Sequence, residues 1–559
     1  FSLVRIPGSG YIKSIRLSSR VRSDSERTKF NVLEDKDQSS LEKRYQKSLR
    51  NCLRELSSCD SLTIPDVQIT GIAWDSRKVQ PGDVFFALVG ENVDGHKFIN
   101  SAIERGAAAV VGTQKDIDIA VPYVRIEGDD RLVMAEFSAI FYDYPSRDLV
   151  VIGITGTDGK TTTTNLVYHI LQTAGIPTGM ISSVSAVVGK DTLDTGFHVT
   201  TPESPDIQRY LAHMRDAGLT HVVLETTSHG LAQKRVAGVE YDMAAVTNVT
   251  HEHLDYHRDY PSYLQAKGKL FTMLPEKEHY QKGVDPLAVL NKEDQSFPYL
   301  KDITRAPILS YSLNSDADLW ADGIEQSQVG LRFTLHGIDE GFQITSPLIG
   351  WYNVYNSLAA IGLTRYGLNV PIEKIQKAFE TLPIVPGRME QIDMGQDFLA
   401  IVDFAHTPNA IKQALQTAYK LTSGKIIVVF GSAGLRDVEK RKLMPEVAAQ
   451  FANEMILTAE DPRTEDLNAI LGDMAEGAER GGAQINRDYW LVPDRGNAIR
   501  MAVARADTND LVILCGKGHE QSMCFGQIEY PWDDRTALRA ALAEKLGVSG
   551  PVMPQLPTS

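Results

Sequence analysis

The sequence predicts an α/β protein of three domains, and three observations carry that prediction. An apolar run, Val150 to Gly153, leads through a glycine loop into a helical pattern holding Leu166, Val167, Ile170 and Leu171. Residues 399–515 alternate apolar β runs with helical periods, the pattern of a doubly wound, Rossmann-like parallel sheet. Residues 62–112 alternate shorter β patterns with turns, as a small separate α/β unit does. A chain of 559 residues accommodates about three or four domains.

Composition narrows the function classes. The apolar share of 43% is ample for buried cores, and no run approaches the roughly 18 apolar residues of a membrane span. A net charge of −15 argues against general affinity for nucleic acid or anionic membrane, so an anionic substrate must meet local cations. Cys52, Cys59, Cys515 and Cys524 are too few and too scattered for a disulfide framework, which suits a reducing cytosol. Cys52 and Cys59 read as ordinary thiols, since no second pair lies near them to complete a zinc site. Residues 1–50 carry twelve Lys/Arg against six Asp/Glu and many serines. A disordered tail is the first reading of that stretch, and an organelle transit peptide is the second.

The small domain, residues 51–147, is predicted from Val67 to Ile72, Asp75-Ser76-Arg77 and Pro81-Gly82-Asp83, with an apolar run to Leu88. A helix with Phe98, Ala102 and Ile103 follows, closed by Gly106, and then a strand from Ala107 to Val111. Tyr142 to Arg147, with Pro145 inside, reads as a linker. The central domain, 148–385, carries strands that end in polar residues, His221 to Glu225 and Ala244 to Asn248, and residues 280–345 read as an insertion of short β pieces. In the third domain, 386–548, strands are expected at 399–403, 426–430, 455–459, 489–492 and 511–515. Helices are expected between them at 408–421, 439–452, 467–478 and 495–506. A frayed tail closes the chain at 549–559.

The most specific stretch is Gly156-Thr157-Asp158-Gly159-Lys160-Thr161, between strand and helix. Its glycines let backbone N–H groups turn inward on a polyphosphate, Lys160 adds a point charge, and Thr161 offers a hydroxyl to Mg²⁺. Ile154 stands where a strict P-loop has glycine. Glu225 closes an apolar strand, where an unpaired carboxylate is costly unless it meets a cation, and Mg²⁺ shared with Thr161 is one. His251, Glu252, His253, Asp255 and His257 suggest a metal or phosphate site, but their spacing is not that of His-Glu-x-x-His. Lys267, on a helical stretch, reads by itself as a solvated residue.

Taken in order, the motifs resemble the Mur ligase family over about residues 60–545. They are Asp75-Ser-Arg with Pro81-Gly-Asp, Gly156-Thr-Asp-Gly-Lys-Thr-Thr, Thr200-Thr-Pro-Glu and Glu225-Thr-Thr-Ser-His-Gly-Leu. His253-Leu-Asp-Tyr-His, Tyr352-Asn-Val-Tyr-Asn, Pro386-Gly-Arg-Met-Glu, Asp403-Phe-Ala-His-Thr-Pro, Asp461-Pro-Arg and Gly516-Lys-Gly-His-Glu520 follow. Within that family the sequence is most similar to the tripeptide-synthetase group, which adds the third stem-peptide residue to UDP-N-acetylmuramoyl-L-Ala-D-Glu in peptidoglycan synthesis.

The resemblance implies an ATP- and Mg²⁺-dependent amide ligase working through an acyl-phosphate. It implies a UDP-binding first domain, a P-loop central ATPase domain and a Rossmann-like C-terminal domain that binds the amino acid. Gly156, Thr157, Asp158, Gly159, Lys160, Thr161 and Thr162 would hold ATP, with Asn353, Arg388 and Asp403. Thr161 and Glu225 would share one Mg²⁺. His253 and Lys267, the latter carbamylated on its ε-nitrogen, match second-metal positions, and Lys160, Glu225, His253 and Lys267 form the catalytic set. His406 belongs to the same block without an assigned role. Trp74 and Ser76 match uridine contacts beside the loop Glu91 to Val93, and Thr200, Thr201, Thr227, Gln233 and Arg235 match contacts to the sugar-peptide. Arg436, Glu460, Asp461, Pro462, Arg463, Gly516 and Glu520 fall on amino-acid contacts.

Three departures stand out. Asp158 replaces the usual Asn of the P-loop, Leu435 a usual Asp, and Asp461 the Asn of the diaminopimelate-adding Asp-Asn-Pro-Arg pattern. Arg463 favours meso-diaminopimelate, whose extra carboxylate an arginine fork holds, while Asp461 leaves L-lysine, L-ornithine or relaxed choice open. Two further readings stand beside this one, a folylpolyglutamate-synthase-like ligase and a catalytically inactive assembly factor. The resemblance also implies a monomer, without nucleic-acid or membrane partners, in a bacterial cytoplasm, or in an organelle if residues 1–50 are a transit peptide. Groups spread over three domains imply that the chain closes around its substrates.

Overall fold

The computed structural model describes residues 45–56, 66–90, 93–115, 117–189, 191–193, 200–250, 254–277, 282–337 and 341–558. Residues 1–44, which make up most of the expected tail, lie outside them, as do Cys59, Glu91, Asn92 and His251 to His253. Residues 45–50, also assigned to the tail, are instead structured. Lys47–Ser48 pairs with Gln68–Ile69, and Ser48 caps a short helix, Leu49–Arg54. The Tyr45 ring packs edge-on against Tyr142 at 5.0 Å, an aromatic anchor that charge counting does not see.

The first lobe is a parallel sheet in the order β1 (Gly71–Ala73), β2 (Asp83–Ala87), β3 (Ala109–Gly112), β4 (Tyr123–Arg125). The helix α1 (Ile99–Glu104) connects β2 to β3, and α2 (Asp130–Phe141) packs Phe137 and Phe141 onto Val84, Phe86 and Val111. Asp129 starts α2 by accepting hydrogen bonds from the Arg131 and Leu132 N–H groups.

The central sheet is built on β5 (Val150–Thr155), which runs into α3 (Lys160–Ala174). Then follow β6 (Thr178–Ile181), β7 (Ala186–Val188), β8 (Asp191–Leu193), α4 (Ser204–Asp216), β9 (His221–Glu225), β10 (Met243–Val246) and α5 (Tyr260–Thr272). The chain continues through β11 (Leu287–Asn291), β12 (Ile308–Ser312), β13 (Leu319–Ser327), β14 (Gly330–His336), β15 (Phe342–Ser346), α6 (Asn353–Ile361) and α7 (Ile372–Glu380). Among the described residues the sheet has eleven strands in the order 8-7-6-9-5-10-11-12-13-14-15. The run from β6 to β13 is parallel and its two ends are antiparallel. Residues 280–345 are therefore not a separate insertion: β11, β12 and β13 extend the same parallel sheet. Their pairing joins residues far apart in the chain, which local periodicity cannot report. Both faces of β5 are covered, so all six of its residues are buried, with Ile152 and Ile154 facing one core and Val151 the other.

The C-terminal lobe runs β16 (Glu390–Gln391), β17 (Leu399–Asp403), α8 (Pro408–Leu421), β18 (Ile426–Phe430), α9 (Val438–Ala448), β19 (Glu454–Leu457), α10 (Leu467–Arg480), β20 (Tyr489–Leu491), α11 (Arg495–Arg505) and β21 (Leu511–Cys515). A hairpin, β22 (Ser522–Phe525) with β23 (Ile528–Pro531), and α12 (Asp534–Leu546) complete it. Among the described residues the strand order is 16-17-21-18-19-20, all parallel except β16. Each expected strand and helix is present within a few residues. The closing segment is not frayed: Met553 and Leu556 are buried against the core of α11 and α12, and the Thr558 hydroxyl donates to Asp494 at 3.0 Å. No helix of the described residues is long and apolar enough to cross a membrane.

At the carboxyl ends of this sheet lies a fully buried ion pair. Arg495 donates to Asp534 at 2.8 and 2.6 Å, and to the carbonyls of Ala459 at 3.2 Å and Cys515 at 2.8 Å. Trp532 Nε1 donates to the same carboxylate at 2.8 Å. One guanidinium thus ties the carboxyl ends of β19 and β21, across β18. Arg495→Met would strand Asp534 without a cation, and a loss of about 3–5 kcal/mol is expected, read as a lower urea midpoint for the C-terminal lobe.

Candidate functional site

The carboxyl ends of β5, β9, β10, β17, β18, β19 and β21 open on one cavity of about 1110 Å³, as expected of ligand sites in open α/β sheets. Its floor is the glycine loop. Gly156 has φ +151° and Gly159 φ +82°, and a Cβ at either would stand 1.8 Å from Thr247 Oγ1 or 2.2 Å from Asn356 Oδ1. The loop is fixed from outside: Asn248 O accepts from the Thr157 N–H at 2.7 Å, and Asn248 Oδ1 from the Asp158 N–H at 3.1 Å. Lys160, the first residue of α3, folds back to donate to Thr157 O at 2.8 Å. The N-terminus of α3 faces the cavity with Lys160, Thr161 and Thr162 on its wall, an arrangement that attracts anions. Asp158 lines the cavity too, and its carboxylate accepts from Asn409 Nδ2 of the C-terminal lobe at 3.1 Å.

Glu225, at the end of β9, is 1% exposed. Its Oε1 accepts from the Thr161 hydroxyl at 3.0 Å and the Ser183 hydroxyl at 2.9 Å, and its Oε2 from the Ser183 N–H at 3.0 Å. Arg388 Nη2, from the C-terminal side, donates to Thr161 Oγ1 at 3.0 Å, and its guanidinium lies 4.5 Å over the Phe404 ring. Asp403 does not pair with Arg388 by hydrogen bond; its carboxylate accepts from the N–H groups of Met389 at 2.7 Å and Ala405 at 2.8 Å. Burial raises the Asp403 pKa above the ordinary value, with Arg388 opposing. Among the described residues no cation forms an ion pair with Glu225, so a hydroxyl and a carboxylate stand together as oxygen donors. That set fits Mg²⁺, which takes few protein oxygens and completes its shell with water and phosphate.

Lys267 is not a solvated residue. It is 1% exposed on the cavity wall, its Nζ donates to Gly156 O at 2.6 Å, and it lies 4.5 Å over the Tyr263 ring. Periodicity put Lys267 on a helix correctly, but which face of α5 meets the glycine loop is a tertiary fact. His253, its expected companion, is outside the described residues. Among the described residues no group of three or more His, Cys, Asp or Glu side chains is placed to hold a metal.

Asn353 also lines the cavity, its amide donating to Ile349 O at 2.7 Å and accepting from Asn356 at 2.8 Å. His406 is on the wall, with Nδ1 2.8 Å from Phe404 O. Thr200, Thr201, Thr227, Gln233 and Arg235 are all on the cavity wall. Thr201 and Thr227 share a hydroxyl contact at 2.9 Å, while Arg235 donates to Thr201 O at 2.8 Å and Gln233 Oε1 at 2.7 Å and pairs with Glu203 at 3.0 Å. Trp74 and Ser76 are elsewhere. They follow β1 in the first lobe, Trp74 packing at the edge of its core and Ser76 buried, and neither is on the cavity wall.

At another end of the cavity lie Arg436, Glu460, Asp461, Arg463, Gly516 and Glu520. Pro462 is not on the wall; it shapes the turn, its carbonyl accepting from the Glu465 N–H at 3.1 Å. Burial pushes the Glu460 carboxyl up to about 7, and its Oε2 is buried without a hydrogen-bond partner. Asp461 and Arg463 both take left-handed backbone angles, φ +40° and +54°, which turn this loop sharply. Leu435 is exposed at φ +55°. Sequence reading missed Ser183, Asn409, Lys517 and Arg495. No spacing marks Ser183 or Asn409, and Lys517 falls in Gly516-Lys-Gly-His-Glu520 with no role implied for it.

Three family models match the chain: "Mur ligase family, catalytic domain" over 68–143, "Mur ligase middle domain" over 154–364, and "Mur ligase, glutamate ligase domain" over 387–518. The chain is 40% identical over 507 residues to the UDP-N-acetylmuramyl-tripeptide synthetase of Roseiflexus sp. (strain RS-1), covering 88% of this chain and 98% of that one. It is 39% identical over 479 residues to the UDP-N-acetylmuramoyl-L-alanyl-D-glutamate–2,6-diaminopimelate ligase of Geobacillus thermodenitrificans (strain NG80-2), covering 85% and 95%. A solved structure described as a ligase of the latter name superposes with TM-score 0.57 at 29% identity, covering 86% of this chain and 95% of that one.

Gly159→Ala would force a methyl group into Asn356 at a left-handed φ. Binding of a fluorescent ATP analogue is expected to weaken about tenfold or more, with the far-ultraviolet circular dichroism unchanged.

Proposed function

The chain belongs to the Mur ligase family, and on that premise we propose that it joins an amino acid to UDP-N-acetylmuramoyl-L-alanyl-D-glutamate with cleavage of ATP, adding the third stem-peptide residue in peptidoglycan synthesis. One observation carries this reading: Thr161 of the glycine loop, Arg235 and Arg463 face a single cavity. A phosphate-binding turn, a cationic contact for the acid and an arginine for the acceptor are thereby within one enclosure.

A carboxylate is a poor acyl donor at neutral pH. Its oxygen attacks the γ-phosphorus of ATP, the bond to ADP breaks, and an acyl-phosphate forms. The amine of the acceptor then attacks the acyl carbon, the C–O bond to phosphate breaks, and the nitrogen loses a proton. Both steps bring anions together, so Lys160, Arg388 and the N-terminus of α3 are assigned to offset the repulsion at the phosphates. Gly156 to Thr162, Asn353, Arg388 and Asp403 are the proposed ATP residues. Thr161 and Glu225 would hold Mg²⁺, which when bound neutralises phosphate charge. Lys267, carbamylated, would present oxygens in place of an ammonium and, with His253, serve a second ion.

Thr200, Thr201, Thr227, Gln233 and Arg235 are proposed to bind the sugar-peptide, and Trp74 and Ser76 the uridine. The units 51–147, 148–385 and 386–548 act as domains that close and keep water from the acyl-phosphate. Arg436, Glu460, Asp461, Arg463, Gly516 and Glu520 take the amino acid, with Pro462 shaping their loop. The names of the relatives favour 2,6-diaminopimelate, over L-lysine or L-ornithine. We infer action as a cytoplasmic monomer, where ATP and UDP-linked precursors are available.

Phosphate release with UDP-N-acetylmuramoyl-L-alanyl-D-glutamate, ATP, Mg²⁺ and each amino acid in turn tests the reading, and release with 2,6-diaminopimelate is expected. Release only with folate substrates would favour a folylpolyglutamate-type ligase, and none with any acceptor an assembly role. Lys160→Met and Glu225→Gln are each expected to lower kcat by roughly 10²–10³. Arg463→Ala should impair 2,6-diaminopimelate use more than lysine use; equal losses would remove the selectivity argument. Because burial holds Glu460 at about 7, its anionic form is lost as pH falls through that value. The amino-acid KM is expected to rise between pH 8 and pH 6, and Glu460→Gln to flatten that slope.

A further inference from the structure

Lys517 lies in the turn after β21, behind the cavity wall. Its side chain is 0% exposed, and it does not line the cavity, but both of its partners do. Its Nζ donates to Asp461 Oδ1 at 3.1 Å and lies 2.5 Å from Glu520 Oε2. Burial works against the ammonium, yet Glu520 and Asp461 outweigh it and hold its pKa above the ordinary lysine value. Asp461 Oδ1 also accepts from the Cys524 N–H at 2.9 Å, and Cys524 O accepts from the Arg463 N–H at 3.0 Å. The loop that carries Arg463 is thus fastened through Cys524 to the hairpin β22–β23, beside this ion pair.

The acidic residue at 461 is, on sequence, a charge that opposes a carboxylate-bearing acceptor. The structure places a buried cation directly on it. We propose that Lys517 is a positioning residue that sets acceptor choice: it cancels the charge of Asp461 and holds Glu520 still. The amino-acid end then prefers an acceptor bearing a carboxylate together with an ammonium at its far end over one bearing an ammonium alone. The inference rests on the ligase reading given above. Without Lys517, Asp461 becomes a bare carboxylate two residues from Arg463. It competes there for the guanidinium and repels an acceptor carboxylate, while still attracting an ammonium.

The experiment measures kcat/KM for 2,6-diaminopimelate and for L-lysine, with UDP-N-acetylmuramoyl-L-alanyl-D-glutamate, ATP and Mg²⁺, in the unaltered protein and in Lys517→Met, Asp461→Asn and the double variant. Lys517→Met is expected to lower the diaminopimelate-to-lysine ratio about tenfold or more. Asp461→Asn is expected to raise the ratio, the double variant to lie between the single ones, and the KM for ATP to stay within about twofold throughout. A merely structural role would move both acceptors alike. Single variants that shift the ratio in the same direction, or leave it unchanged, overturn the proposal and leave the ligase reading intact. Preference of the unaltered protein for lysine also overturns it. If Lys517→Met fails to fold, as judged by its thermal melt, Asp461→Asn decides: a raised ratio supports the proposal and any other result removes it. No ligation by the unaltered protein with either acceptor removes the ligase reading and the proposal together.

Discussion

The hydroxyl of Thr161 is the joint on which the molecule depends. It donates to Glu225 at the end of β9 and accepts from Arg388 of the C-terminal side, so one small group links the glycine loop, the neighbouring strand and the far lobe. The linkage has a direct electrostatic consequence. A buried carboxylate, a hydroxyl and a guanidinium meet where the helix dipole of α3 is positive, and the chain around them carries a net charge of −15. Attraction of an anion therefore has to be local, and Lys160 and Arg388 stand on the cavity wall where it would act.

A second arrangement of the same kind holds the other end of the cavity. Arg495 and Lys517 are both buried, and neither reaches the cavity. Arg495 fixes the strand ends that precede Glu460 and Gly516, and Lys517 fixes the side chains of Asp461 and Glu520. Buried ion pairs of this sort add little net stability compared with apolar packing, but each restricts the geometry around it. Here the restricted residues, Glu460, Asp461, Gly516 and Glu520, line the cavity. Glu460 is the exception: one carboxylate oxygen is buried without a hydrogen-bond partner, and burial pushes its pKa up to about 7.

Much of the fold was legible along the chain, because each feature involved is local. The apolar run of β5 and the alternation of residues 399–515 follow from side-chain periodicity, and the glycine turn follows from backbone freedom. Residues 280–345 look like an insertion along the chain because the order of strands in a sheet is set by pairing over long separations. Tyr45, Met553 and Leu556 fall in stretches that read as loose ends because their burial depends on partners elsewhere in the chain.

By itself the sequence determined the α/β class, the glycine turn at Gly156 to Thr161 and the set of polar residues at strand ends. These depend on residue type and short spacing. Only the tertiary structure decided that Lys267 is buried against Gly156 O, that Trp74 and Ser76 stand off the cavity wall, and that Asp461 pairs with Lys517. The reason is physical: a charge acts through its distance to other charges and its access to water. Both are fixed when separate strands are brought side by side, and neither is written in the order of residues.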